Sequence, residues 1–121
     1  MSPQTDFPQV YAHLRSILQP YADKLTLTLD TPTGISIDSP YSETWKKGVF
    51  FASAQIKKNY VSFYLMPVYM FPDLLDGISP ELRKHMQGKS CFNFKKMEPA
   101  LFDELSELTR VGFKRFQKEV N

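Results

Sequence analysis

The chain predicts an α+β domain: an antiparallel β-sheet of about five to six strands packed against N- and C-terminal helices. Three observations carry this reading. Apolar residues recur at helical spacing near both ends, from Val10 to Tyr21 and from Leu101 to Phe116. Between them the period drops to two, as in strands with one buried face. The breaks between the alternating runs are turn residues, Thr31-Pro32-Thr33-Gly34 and Lys57-Lys58-Asn59. Helices gathered on one face of a sheet are the simplest packing of that order. The length, 121 residues, predicts a single domain spanning 1–121.

The elements follow in order. Val10, Leu14, Ile17, Leu18 and Tyr21 share one helix face, with Asp6 as the cap, Pro8 in the first turn and Pro20 at the end. Leu25, Leu27 and Leu29 alternate with Thr26, Thr28 and Asp30, and Ile35 and Ile37 alternate after the turn, so 24–38 reads as a hairpin. In Val49 to Ile56 one face holds Phe50, Ala52, Ala54 and Ile56; the other holds Val49, Phe51, Ser53 and Gln55. Tyr60 to Val68 is apolar or aromatic on both faces and reads as a central strand. Pro72 to Leu75 predicts one helical turn. Ser79-Pro80-Glu81 starts a short helix, with Ser79 as cap, that runs to a C-cap at Gln87-Gly88. Ser90 to Phe94 is a last short strand. The long final helix begins near Pro99, carries its acids early and its lysines and Arg115 late, and holds Gly112 where it approaches the sheet.

Composition narrows the function classes. Apolar residues make up 42% and charged residues 23%, as in an ordinary soluble globule, and 14% aromatics predict a core built on large rings. One cysteine cannot form an internal disulfide and fits a reducing compartment. A net charge of +2 is modest for a dedicated nucleic-acid domain, so no nucleic-acid partner is expected. Met1 to Phe7 lacks a basic start and an apolar run, and Val61 to Phe71 is too short to span a bilayer, so a cytoplasmic protein with no membrane partner is expected.

The stretch Gln87 to Lys95 concentrates chemistry. It holds the sole cysteine, Cys91, a Gly88-Lys89-Ser90 triplet, and Phe92 and Phe94. A phosphate-binding loop needs a glycine five positions before its Gly-Lys-Ser; Arg83 stands there. The triplet reads instead as a helix cap leading into a strand.

Four segments carry a family resemblance: Trp45 to Ala52, Lys58 to Tyr69, Ile78 to Phe94, and the final helix with Leu101 and Leu105. Together, over roughly residues 40–118, they resemble the YdhG-like family of domains of unknown function. The resemblance implies a frataxin-like arrangement, two terminal helices against an antiparallel sheet. For some relatives it also implies intracellular iron carriage, the only ground for a cofactor or metal here. Frataxin-type iron binding resembles a row of carboxylates on the first helix and adjoining strand. This chain's first helix carries His13 and Arg15, with acids at its ends, Asp6 and Asp23, while Asp30 and Asp38 stand apart on the hairpin.

The function expected is therefore a non-enzymatic binding domain for a small molecule, anionic in one version, or for a protein partner. Trp45, Lys89, Ser90, Cys91 and Asn93 are its ligand-binding candidates; no catalytic or metal residues are assigned. Iron carriage is the alternative, and an enzyme using Cys91, activated by Lys89 with His13 or His85 as base, is the second. Tyr64 and Tyr69 are expected in the core, and Glu81 and His85 as an exposed helical pair. A monomer or homodimer is expected, with an exposed strand edge as one route to pairing.

Overall fold

The computed structural model describes residues 6–120, and every structural statement below is made of these. Of the N-terminal stretch read for a leader, only Asp6 and Phe7 fall within them.

Helix α1 spans Phe7–Ala22, and Asp6 makes no side-chain cap bond. Pro20 sits in its last turn, which continues to Ala22. The strands are β1 (Thr26–Thr31), β2 (Gly34–Asp38), β3 (Phe50–Ile56), β4 (Val61–Leu65), β5 (Met86–Gln87) and β6 (Cys91–Phe94). Helices α2 (Met66–Met70), α3 (Pro80–Arg83) and α4 (Pro99–Val120), with a 3-10 turn at Pro72–Gly77, complete the chain. The strands form one antiparallel sheet in the order β1-β2-β3-β4-β6-β5. The fold class expected from the sequence is the one observed.

The core lies between the sheet and the helices. Ile35, Ile37, Ala52, Ala54, Val61, Phe63, Leu65, Phe92 and Phe94 face the helices and are fully buried. Each fully buried Leu, Ile or Phe stabilises by about 1.5–3 kcal/mol. Phe51 joins them by a β-bulge. Ile37 pairs Ala52 and Asp38 pairs Phe50, so Phe51 has no partner across the ladder. The extra residue turns its ring to the helix side, 5.5 Å from Tyr21, 5.5 Å from Phe113 and 5.0 Å from Phe116. Strict alternation had set it on the face opposite Ala52.

A second bulge, at Thr28, separates the leucines of β1: Leu27 pairs Ile37, Leu29 pairs Ser36. They point to opposite faces and stay 41% and 38% exposed, so β1 has no buried side, contrary to its alternating pattern. Its attachment to α1 is polar. The Tyr11 hydroxyl donates to the Thr31 carbonyl at 2.9 Å, and Arg15 pairs with Asp30 at 2.6 Å.

Three further expectations change. The run through Val68 is a strand only to Leu65, because Met66-Pro67 opens α2 with proline in its first turn. The helix capped by Ser79 stops at Arg83, and Met86–Gln87 pairs with β6 instead. Gly112 serves helix α2 rather than the sheet: a Cβ there would stand 3.0 Å from Pro67 Cβ.

Candidate functional site

Gly88-Lys89-Ser90 is the loop of the β5–β6 hairpin, because Gln87 pairs with Cys91. Gly88 holds φ +76°, the left-handed conformation that glycine takes without strain. The Ser90 carbonyl accepts the Leu65 N–H at 3.0 Å, which pins the loop beside the end of β4. There α2 begins, and its first turns project Tyr69 outward, 56% exposed. Lys89 Nζ hangs 6.0 Å from the centre of that ring.

Between loop and helix lies a cleft of about 570 Å³. Val68, Pro72, Leu75 and Met86 give it apolar walls; Tyr69, Arg83, Gly88 and Lys89 complete the lining. Arg83 is anchored by one bond, Nη2 to the Leu75 carbonyl at 2.6 Å. Its fork has five N–H donors, so most remain for a ligand. Neither Asp nor Glu lines the cleft.

Trp45 stands elsewhere. Its loop turns through Lys46 at φ +60°. Ser42 secures that loop, accepting the Trp45 N–H at 3.1 Å and donating to the Val120 carbonyl at the end of α4. The indole, with Tyr69, Met70, Phe71 and Glu119, lines a separate cleft of about 380 Å³. Tyr69 is thus the wall common to the Lys89 and Trp45 clefts.

Cys91 and Asn93 point to the sheet face that carries no helix. Cys91 is 6% exposed, and its thiol donates to Asn93 Oδ1 at 3.2 Å. Burial pushes the thiol pKa up, with smaller opposing effects from Tyr64 and the charge of Lys57. The cation acting on it is therefore Lys57, at the β3–β4 turn, and not Lys89. His85 has both ring nitrogens engaged, Nδ1 with the Asn93 carbonyl at 2.8 Å and Nε2 with Glu98 at 2.9 Å, and it stacks on Phe94. It pairs with Glu98 rather than Glu81. His13 packs against Phe102. A nucleophilic thiol needs a lowered pKa and a free base beside it; this one has a raised pKa, and His85 is occupied. Asn93 and His85 border a third cleft, about 570 Å³, with Asn59, Tyr60, Gln87, Lys95, Lys96 and Glu98.

The five candidates are therefore spread over three places: Trp45 in one cleft, Lys89 in another with Ser90 as its backbone anchor, and Cys91 and Asn93 on the open face. Tyr69 and the apolar walls of the Lys89 cleft were missing from the candidates; Tyr69 and Tyr64, both expected in the core, are instead 56% and 40% exposed. Pro67 was the available signal, since it ends β4 and exposes Tyr69.

Among the described residues no three His, Cys, Asp or Glu side chains gather to hold a metal ion. Asp30, on the strand beside α1, is taken by Arg15, so the carboxylate row that iron carriage implies is not assembled there. No helix of the described residues is long and apolar enough to cross a membrane. No family model, curated protein or solved structure matches the chain.

Proposed function

We propose that the chain is a non-enzymatic binding domain and that its ligand is a small anion with an apolar body. The ligand sits between Tyr69, Arg83 and Lys89, with its anionic group toward the two cations and its body against Val68, Pro72, Leu75 and Met86. One observation carries this: two cations and no carboxylate border a cleft with apolar walls. The guanidinium suits a carboxylate or phosphate held in two places, and the ammonium adds a point charge. The raised thiol pKa of Cys91 and the engaged His85 favour binding over thiol chemistry. A reducing, cytoplasmic setting accords with the lone free thiol.

An open cleft with two exposed cations supports a Kd of about 0.1–1 mM. Titration calorimetry with benzoate and adenosine monophosphate, against benzamide and adenosine, tests the reading. The two anions are expected to bind and their neutral counterparts not. Arg83→Ala and Lys89→Ala are each expected to weaken binding about tenfold, the loss of one charge-assisted contact. Equal binding of neutral and anionic compounds, or none of either, contradicts it.

A further inference from the structure

The sheet face away from the helices is a continuous surface that the anion cleft does not use. Its central row runs Leu29, Ser36, Ser53, Tyr64, Cys91, Gln87, one residue from each strand in register. The neighbouring row is Thr31, Gly34, Gln55, Ser62, Asn93. Neither row contains a charged residue, although 23% of the chain is charged; a cation reaches the second row from its end, where Lys57 Nζ donates to Gln55 Oε1 at 2.7 Å. Solvent-facing sheet surfaces ordinarily carry charged residues, and interface centres are depleted of them. Tyr64, 40% exposed, is the one large ring in the central row, flanked by small Ser53 and Cys91.

We propose that this face is the interface of a homodimer, two copies packed sheet on sheet about a two-fold axis. Self-complementarity selects a second copy over other occupants. Hydroxyls and amides both donate and accept, so identical rows satisfy one another. With the axis across the strands, each strand lies over its own counterpart, and the two Tyr64 rings would lie side by side between the small Ser53 and Cys91 of both copies. Asp38 closes the row beyond Ser36 at one end of the strands, and Lys57 follows β3 at the other. A two-fold axis across the strands therefore sets the acid of each copy toward the lysine of its mate. Strand spacing and rise give a footprint of about 24 by 20 Å per copy. The two footprints together come to about 960 Å², below the range of stable interfaces and in that of weak ones, so the dimer is weak, with a Kd of about 10–100 µM.

Sedimentation equilibrium from about 5 µM to 1 mM tests the proposal. The wild type is expected to pass from monomer to dimer. Tyr64→Arg and Ser36→Arg, each with an unchanged circular dichroism spectrum, are expected to stay monomeric to 1 mM. Asp38→Lys is expected to weaken association at least tenfold, and adding Lys57→Asp to restore it. Lys89→Ala is expected to leave the dimer intact, which separates this proposal from the anion cleft. A wild type monomeric at 1 mM, association insensitive to both arginine variants, or no rescue by the charge exchange overturns it. So does a monomeric face that shifts single-stranded RNA at low salt and loses this with Tyr64→Ala, which would make the occupant a nucleic acid.

Discussion

Replacing Glu104 by alanine isolates one long-range contact. Its carboxylate, on α4, accepts the Ser79 N–H at 2.6 Å through Oε2 and the Ser79 hydroxyl at 2.7 Å through Oε1. The same hydroxyl accepts the Leu82 N–H at 3.1 Å. In a capping box the third residue of the helix returns a carboxylate to the cap N–H. Here that place is Leu82, which is buried in the core, and Glu104 supplies the carboxylate from α4. Hydrogen bonds to a charged partner contribute about 1.5–3 kcal/mol each when buried, so two half-buried ones amount to about 2–3 kcal/mol. That lowers Tm by about 8–12 °C for a domain of this size. Urea unfolding measures the free energy, and amide exchange at Ser79 and Leu82 localises it. Ser79→Ala in the Glu104→Ala background is expected to cost less than alone, because the two share the contact. A Glu104→Ala loss under about 0.5 kcal/mol, or full additivity with Ser79→Ala, refutes the reasoning.

Other outcomes follow from the same packing. Phe51→Ala is expected to cost about 3–5 kcal/mol in urea unfolding, since the bulge buries its ring among Tyr21, Phe113 and Phe116. Gly112→Val is expected to cost about 1–3 kcal/mol, because its Cβ meets Pro67; an unchanged urea midpoint would show that α2 yields freely. Cys91, its pKa raised by burial, is expected to react slowly with iodoacetamide even near pH 8.5, where an ordinary thiol is half ionised. The folded state favours the neutral thiol, so its contribution is whole below the ordinary thiol pKa and is lost as pH rises through the raised value. A smaller fall in urea midpoint between pH 8 and 10 in Cys91→Ala than in the wild type checks that sign.

Periodicity was enough for the sheet, for both terminal helices and for the Ser79 cap, because those features depend on local pattern. It misplaced Phe51, and it gave β1 a buried side, because a bulge adds one residue and reverses every later side chain without changing composition. It prolonged β4 because Val68 and Tyr69 suit a strand as well as they suit a short helix; Pro67 was the contrary mark. The candidate site was legible only in part. Lys89 and nearby Arg83 stood out as cations, but the cleft between them needs Tyr69 and Leu75, brought over by α2 and the 3-10 turn. Trp45 and Cys91 shared unusual residue types and no location, since sequence distance says nothing about which side of a sheet a loop crosses.

Backbone amide shifts recorded while adenosine monophosphate is added to the labelled wild type test the binding account most directly. The account predicts saturable movements centred on Tyr69, Met86, Gly88 and Lys89, absent with adenosine and absent in the Arg83→Ala, Lys89→Ala double variant. Movements centred instead on Trp45 or on His85 and Lys95, or none at millimolar nucleotide, would contradict it.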